Sequence, residues 1–418
     1  MDLPQLKFSE FKQKWNSINF TYPVLILLIY IFLVAFMPES GLIGDNLCWR
    51  RWCGYILKDG LGNLYHSYID YLPLYPYILF IFTKIQGTTE AIAGNIHYLK
   101  AFTLIFDFAG AFLAVYFVPK TERKWLLPFF ILFNPAYLYN TYIWNQVDAI
   151  YATMGLASLV MALRQRVTWS MFFFILAINT KLQSIIFLPP LMLIWLSGIR
   201  SGFSWKGLGR GLALITLTQL LILAPYDVVA MYYKVIVTAV GRYPVVSMNA
   251  FNFWHLVSNE HLISLRDDSL WYAGLSYRQW GYLLFLASSF FILLPLLQSA
   301  WQQFKGKTKT IAPDLVFLTM GLIALSFFFF LTQMHERYCH PALILFYAYG
   351  LIKQKYSLII LFSIAYILNL EKIMQYFELK NYITMIFDQK FIAGIFALTL
   401  VIGVSQLYRN YFLGKVSN

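Results

Sequence analysis

Long apolar runs rich in leucine, isoleucine and phenylalanine alternate along the chain with short polar stretches. Runs of this length predict helices that cross a membrane. The first, at about residues 20–37, follows a polar, basic stretch without a small-residue cleavage site, so we expect a retained anchor. Eleven further spans are predicted at about 97–118, 124–140, 147–163, two short spans within 169–195 that break near 179–181, 208–224, 279–298, 313–333, 341–352, 356–370 and 391–408.

One shorter apolar run, at 71–85, decides the topology, and it contains Pro73, Pro76 and Lys84. If this run stays at the outer interface, every basic cluster of the later loops falls on the inner side, as the positive-inside rule requires. We therefore predict about twelve spans with both ends inside. The predicted divisions are a membrane module at 1–226 with interfacial helices in a first outer loop at 38–96, a long outer loop at 227–278, and C-terminal membrane helices at 279–418.

Composition supports this all-α polytopic membrane architecture. Of the 418 residues, 60% are hydrophobic and only 12% are charged, which excludes an ordinary soluble domain. The net charge of +13 is explained by basic inner loops rather than by nucleic-acid binding. The three cysteines, Cys48, Cys53 and Cys339, form neither a disulfide framework nor a metal-binding spacing.

The predicted topology places a set of polar and ionisable residues at the outer membrane edge. Ionisable groups at hydrophobic depth are costly, so they indicate function. A cleft that holds a carboxylate and several cations could bind a lipid-linked phosphate and activate a hydroxyl. The members are Asp45, Asp70, Asn145, Asp148, Lys181, Gln183, Arg242, Asn249, Asn252, His335, Glu336 and Arg337.

Two acidic residues of this set, Asp45 and Asp148, each have two interpretations, and a third, Asp70, has one. Asp45, flanked by Trp49 and Trp52, would be partly desolvated, which suits a general base, but it could equally cap a helix. Asp70 is expected to cap a helix that has proline in its first turn. Asp148 is either another cap or a second acid that faces the cleft.

Each basic residue of the set has a functional interpretation and a structural one. Lys181, beside Gln183, could extend to the nearest interface, although a phosphate partner would explain a lysine on the outer side. The segments around Arg242 and Trp254 suit a sugar-binding wall or, more simply, an interfacial helix.

His335 and Arg337 could neutralise a leaving phosphate while Glu336 orients one of them, or all three could form an interfacial ion-pair cluster. Two further polar groups are interpreted structurally. We expect His340 to cap the helix entry at Pro341, and Lys100 to pair with Asp107.

The ordered series of motifs resembles the integral-membrane glycosyltransferases of the GT-C superfamily, which use polyprenyl-phosphate sugars. It looks most like the dolichyl-phosphate-glucose glucosyltransferases of the asparagine-linked glycan pathway, whereas its departures from their pattern look more like the shorter bacterial members. The resemblance rests on Gly44-Asp45 with Trp49 and Trp52, Asp70-Tyr71-Leu72-Pro73-Leu74, Lys181 with Gln183, Arg242-Tyr243-Pro244, Asn252-Phe253-Trp254 and His335-Glu336-Arg337. The family's histidine-containing stretch is replaced here by Trp144-Asn145-Gln146-Val147-Asp148.

The resemblance implies an inverting hexosyl transfer at the outer, periplasmic or luminal face of a bacterial inner membrane or, alternatively, of the endoplasmic reticulum. Asp45 would act as the base, and Asp148, Lys181, Gln183, Arg242, Trp254, His335, Glu336 and Arg337 would bind substrate. The expected partners are the lipid-linked donor, a glycan, lipid-linked or protein acceptor, and membrane lipids, with no metal or other cofactor required. The alternative function is a lipid-linked-sugar transporter or flippase without covalent chemistry.

Overall fold

The computed structural model describes residues 21–119, 124–198, 205–239 and 241–413. The chain divides into two compact units, the first ending at Pro38 and the second beginning at Glu39. In the first unit the structure describes one helix, α1 (Thr21–Ala35).

The second unit is built almost entirely of helices. Its α-helices are α2 (Ile43–Asp59), α3 (Leu74–Gln86), α4 (Thr89–Asn95), α5 (Leu99–Ala114), α6 (Leu127–Leu132), α7 (Pro135–Leu138), α8 (Asp148–Leu163), α9 (Val167–Thr180), α10 (Leu188–Ser197), α11 (Trp205–Leu223), α12 (Val228–Met231), α13 (Phe253–Val257), α14 (Tyr277–Phe304), α15 (Pro313–Phe330), α16 (His340–Lys353), α17 (Ser357–Met374) and α18 (Gln389–Tyr408). Short 3₁₀ helices are Leu64–His66, Ile96–Tyr98, Lys124–Leu126, Leu182–Phe187, Leu379–Asn381 and Met385–Phe387, and π-helical turns are Tyr139–Ile143, Tyr232–Val237 and Arg409–Leu413.

Six helical stretches in the described part of the chain are long and apolar enough to cross a membrane. They are Thr89–Ala114, Lys206–Leu223, Tyr277–Phe304, Pro313–Phe330, Ser357–Met374 and Gln389–Tyr411, and shorter apolar helices accompany them. The predicted helical fold is confirmed, and these six stretches are compatible with a multi-pass membrane protein. The count of twelve spans stays a prediction.

Burial distinguishes a central helix from peripheral ones. In α15, 83% of the apolar stretch of the helix is buried inside the structure. In α14, which is equally hydrophobic, only 22% of the corresponding stretch is buried, and in α11 only 17%. An apolar helix that stays exposed needs an apolar solvent, so α11 and α14 are the helices that suit contact with lipid.

Local sequence explains where helices are interrupted. The break predicted near residues 179–181 is confirmed, because α9 ends at Thr180 and Lys181 has an extended backbone. The span predicted at 124–140 is instead divided into α6, α7 and a π-helical turn. Asn134 precedes Pro135 and caps α7, and a residue before proline is biased away from the helical conformation.

The predicted outer loop at 227–278 carries the only strands that precede α14 in the described residues. β1 (Ser247–Met248) pairs in parallel with β4 (Met334–His335), which lies between α15 and α16. β2 (Leu270–Tyr272) and β3 (Leu275–Ser276) form a short antiparallel hairpin. The β1–β4 pairing holds the loop against the segment that carries His335 and Arg337.

Candidate active site

A cavity of about 400 Å³ lies within the second unit and collects most of the residues singled out from the sequence. Its polar walls come from α2, the loop before α3, the break after α9, the segment before β1 and the segment from β4 to α16. Predicted site residues that line it are Asp45, Lys181, Gln183, Arg242, His335 and Arg337, together with Asp70, whereas Asp148, Glu336 and Trp254 do not line it.

Asp45 lies in the first turn of α2 and does not cap it. The helix begins at Ile43, and Leu42 is the N-cap residue without a side-chain cap. One carboxylate oxygen of Asp45, Oδ2, instead accepts hydrogen bonds from Trp144 Nε1 at 3.0 Å and Gln146 Nε2 at 2.6 Å. The capping interpretation is therefore wrong, and the half-buried carboxylate faces the cavity.

The turn that carries these two donors is fastened to α2 by further contacts. Asn145 has a left-handed backbone, with φ of 66°, and its side chain donates to Asn46 Oδ1 at 2.8 Å. Trp49 Nε1 donates to the Asn145 carbonyl at 3.3 Å. Trp144 and Gln146 are both buried. The turn and the first turn of α2 thus form one connected polar structure.

Lys181 extends from the break after α9 and forms an ion pair with Asp148, which is fully buried. Val147 rather than Asp148 is the N-cap residue of α8, so the capping interpretation of Asp148 is also wrong. Asp148 Oδ2 lies 3.7 Å from Arg337 Nε and accepts a hydrogen bond from Asn140 at 3.3 Å. Asp148 is thus a counterion beneath the cavity wall for two cations that line it.

Three tyrosine rings surround the Lys181 ammonium group. The ring centroids of Tyr71, Tyr151 and Tyr338 lie 5.8, 5.7 and 5.0 Å from Nζ, distances at which a cation is attracted by the ring faces. These aromatic contacts and the Asp148 carboxylate together offset the cost of burying the lysine.

The segment from His335 to Arg337 contains one charged guanidinium, that of Arg337, and one imidazole, that of His335. Arg337 Nη1 donates to Glu336 Oε1 at 2.6 Å. Burial raises the pKa of Glu336, although the Arg337 charge opposes that shift. Burial lowers the pKa of His335 well below its usual value, as do the charges of Arg337 and Lys181, so the imidazole is neutral. In the neutral form His335 can donate or accept a hydrogen bond with a ligand.

Arg242 uses its guanidinium to join two wall segments. Its Nη1 lies 3.1 Å from Asp70, and its Nη2 donates to the Lys234 carbonyl at 2.6 Å and to Thr238 Oγ1 at 2.8 Å. Asp70 does not cap α3, whose N-cap residue is Pro73, so that prediction is wrong. Arg242 fixes the shape of the wall, and its charge is matched by Asp70.

Trp254 lies in a separate aromatic cluster with Val246, Leu262 and Tyr277. Its indole donates to the Phe330 carbonyl at 3.0 Å, and Asn252 caps α13. This segment supports the predicted outer loop at 227–278 rather than the cavity surface.

Two other structural predictions are wrong. Lys100 donates a hydrogen bond to Ser40. No ion pair joins Lys100 to Asp107 in the described part of the chain. His340 is not a cap, and its Nδ1 lies 3.2 Å from the Tyr366 hydroxyl.

Asp267, which the sequence analysis did not single out, organises the wall behind β4. It is fully buried and forms a bidentate ion pair with Arg278, with N–O distances of 2.9 and 2.6 Å. Thr332 and Gln333 donate to the same carboxylate at 2.9 and 2.7 Å. No local motif marks this aspartate, because its partners lie 11, 65 and 66 residues away.

No protein-family model matches this sequence, and no curated protein matches it. Among the described residues, no three or more His, Cys, Asp or Glu side chains are grouped so that they could hold a metal ion. Asp45 thus shares one cavity with two buried, counterion-supported cations, Lys181 and Arg337.

Proposed function

We propose that the protein is an inverting glycosyltransferase of the GT-C type, which moves a hexose from a polyprenyl-phosphate donor to an acceptor hydroxyl. The observation that carries this proposal is the shared cavity, in which Asp45 and the cations Lys181 and Arg337 line one space. A proton acceptor and a phosphate-binding pair are the two functions that this transfer requires.

Asp45 is the general base of the proposed reaction. Asp70, the other carboxylate on the cavity wall, is already paired with Arg242. Asp45 is therefore the carboxylate that is available to act on the substrate. Asp45 takes the proton of the acceptor hydroxyl while the oxygen of that hydroxyl bonds to the anomeric carbon. The bond from that carbon to the phosphate oxygen breaks on the opposite face, and the electron pair leaves with the phosphate.

Lys181 and Arg337 stabilise the leaving phosphate. Negative charge grows on the phosphate as the bond breaks, and fixed cations in a site of low polarity stabilise such charge strongly. Asp148 and Glu336 beneath the wall hold the two cations in place, and the neutral His335 donates or accepts a hydrogen bond. These side chains supply the electrostatic stabilisation from the protein itself.

The cavity also has an apolar side that suits a polyprenyl chain. Ile185, Val235 and Leu331 line it together with Tyr282 on α14 and Phe327 on α15. Ile185 is 47% exposed, and α14 is one of the peripheral apolar helices. A lipid tail could therefore pass from the bilayer to the phosphate site beside α14.

The proposed topology has about twelve spans, with the cavity at the outer face of a bacterial inner membrane. Basic residues in the loops at the other ends of the spans support this orientation through the positive-inside rule. In the same arrangement α2 and α3 lie along the outer interface, and residues of α2 line the cavity.

The test uses Asp45→Asn, which keeps the size of the side chain and removes the base. With short-chain polyprenyl-phosphate glucose as donor and native membranes as the source of acceptor, we expect transfer to slow by about 10²- to 10⁴-fold. The matched control is Asp59→Asn, at the exposed C-terminal end of the same helix, which should transfer at the wild-type rate.

Two outcomes would contradict the proposal. Wild-type transfer by folded Asp45→Asn would exclude Asp45 as the base. Movement of intact donor across the membrane, with no covalent release of the sugar, would support the transporter alternative instead.

A further inference from the structure

The hydrogen bonds to Asp45 are all made to one of its two oxygens. Both Gln146 Nε2 and Trp144 Nε1 donate to Oδ2, and no described residue donates to Oδ1. Since a carboxylate oxygen that accepts two hydrogen bonds is fixed in direction, the other oxygen is fixed as well. Oδ1 is then the oxygen that remains able to accept a proton from a substrate.

The orientation of the Gln146 amide is itself determined by its neighbours. A carboxylate only accepts hydrogen bonds, so the amide nitrogen must face Asp45. The amide oxygen then faces the Tyr71 hydroxyl, which donates to it at 3.4 Å. Gln146 is 1% exposed, and solvent therefore competes little for either contact.

The backbone that carries these donors is braced against the helix that carries the acid. Asn145 binds Asn46, the residue after Asp45, and Trp49 binds the Asn145 carbonyl. Four hydrogen bonds join three consecutive residues to the first two turns of α2. They fix the distance and the angle between the turn and the carboxylate.

We infer that Gln146 and Trp144 are positioning residues that hold the Asp45 carboxylate with Oδ1 toward the acceptor hydroxyl, an inference that rests on the proposed transferase. Proton abstraction depends on the direction of the accepting oxygen, and a misplacement of about 1 Å can cost on the order of 100-fold in rate. Neither residue needs to touch the sugar donor to have this effect.

The first test uses two variants. Gln146→Met keeps the length of the side chain and removes the amide hydrogen-bond donor, and Trp144→Phe removes the indole N–H. We expect each to lower kcat by about 10- to 100-fold, while KM for short-chain polyprenyl-phosphate glucose changes less than about twofold. The matched control is Gln406→Met, which also removes the hydrogen bonds of a glutamine amide, to Tyr349 and Ser357, but outside the cavity.

A double-variant cycle separates positioning from a general structural role. If Gln146 acts through Asp45, then Gln146→Met should not slow the residual activity of Asp45→Asn any further. Equal losses in both backgrounds would mean that Gln146 only supports the fold. Binding of short-chain polyprenyl phosphate and the unfolding temperature show whether each variant is folded. If Gln146→Met does not fold, Trp144→Phe provides the second variant.

The two hypotheses fail in different ways. If Asp45→Asn is inactive while both Gln146→Met and Trp144→Phe keep the wild-type kcat, the positioning inference is wrong and the proposed function stands. If Asp45→Asn is as active as the wild type, the proposed function itself is wrong.

Discussion

Asp148 is the residue on which the charge of the cavity depends. It is fully buried, it is paired with Lys181, and it lies close to Arg337. Because the lysine and the aspartate are buried together, removal of either one leaves an uncompensated charge, whereas removal of both does not. The pair thus couples the stability of the fold to the electrostatics of the site.

Three variants test this coupling: Asp148→Leu, Lys181→Met and the double variant. Each single change should destabilise the protein by about 3–5 kcal/mol, and the double variant should recover much of that loss. The double variant should nevertheless stay inactive, because it lacks the cation proposed to bind phosphate. Thermal unfolding in detergent and sugar transfer measure the two effects.

The control for this prediction is Lys353→Met. Lys353 lies 3.5 Å from Asp314, but its side chain is 35% exposed, so its loss should lower the unfolding temperature much less. A double variant that regains both stability and activity would show that Lys181 has no role in the reaction.

The residue scale also shows how far sequence reasoning reaches. The rule that ionisable groups at membrane depth indicate function selected Asp45, Lys181 and Arg337, which do line one cavity. It could not tell a counterion from a cap, and Asp70 and Asp148 are both counterions. That distinction depends on partners such as Arg242, which lies 172 positions after Asp70 and reaches it only through the fold.

At the scale of elements, the loop before α14 and the strand β4 are joined by a single buried carboxylate. Asp267 binds Arg278 at the start of α14 and binds Thr332 and Gln333 just before β4. The positions of His335 and Arg337 therefore depend on this junction, as well as on the two-residue pairing of β1 with β4.

We predict that Asp267→Asn destabilises the protein by about 3 kcal/mol, because it leaves Arg278 without its carboxylate. It should also increase amide hydrogen exchange in residues 332–338, since Thr332 and Gln333 lose a charged acceptor. Mass spectrometry of exchanged peptides measures this directly.

The neighbouring residue provides the control. Asp268 also pairs with an arginine, Arg266 at 2.6 Å, but this pair is exposed to solvent. Asp268→Asn should leave both the unfolding temperature and the exchange of residues 332–338 unchanged. Similar effects of the two variants would mean that burial does not distinguish them.

Hydropathy predicted helices and one of their interruptions, but neither the other interruption nor the packing of the helices. It located the break at Lys181, where polar residues interrupt an apolar run, but it treated 124–140 as one span despite Asn134-Pro135. The π-helical turn before Trp144 has no signal in hydropathy, because it is a change of backbone hydrogen bonding within similar side chains.

At the scale of the whole molecule, α14 and α15 have almost the same hydropathy and opposite surroundings. Only 22% of the apolar stretch of α14 is buried, whereas 83% of the apolar stretch of α15 is buried. Sequence alone cannot separate them, because an apolar helix is equally suited to lipid and to a protein core.

We therefore predict a clear difference when the protein is reconstituted with lipids that carry a diazirine on the acyl chain. Irradiation should attach lipid to exposed α14 residues such as Leu286 and Phe290, and should leave α15 unlabelled. Peptide mass spectrometry identifies the sites, and α15 provides the internal control. Equal labelling of both helices, or labelling of neither, would contradict this arrangement.

The left-handed backbone of Asn145 has a consequence for which sequences this turn can accept. Only glycine adopts such a conformation freely, asparagine tolerates it, and a β-branched residue there would add strain of about 1–3 kcal/mol. Glycine would keep the path of the chain but would lose the amide that reaches Asn46. Asparagine at this position satisfies the steric demand and the polar one together, so the range of viable substitutions is set by main-chain geometry before any demand of the chemistry.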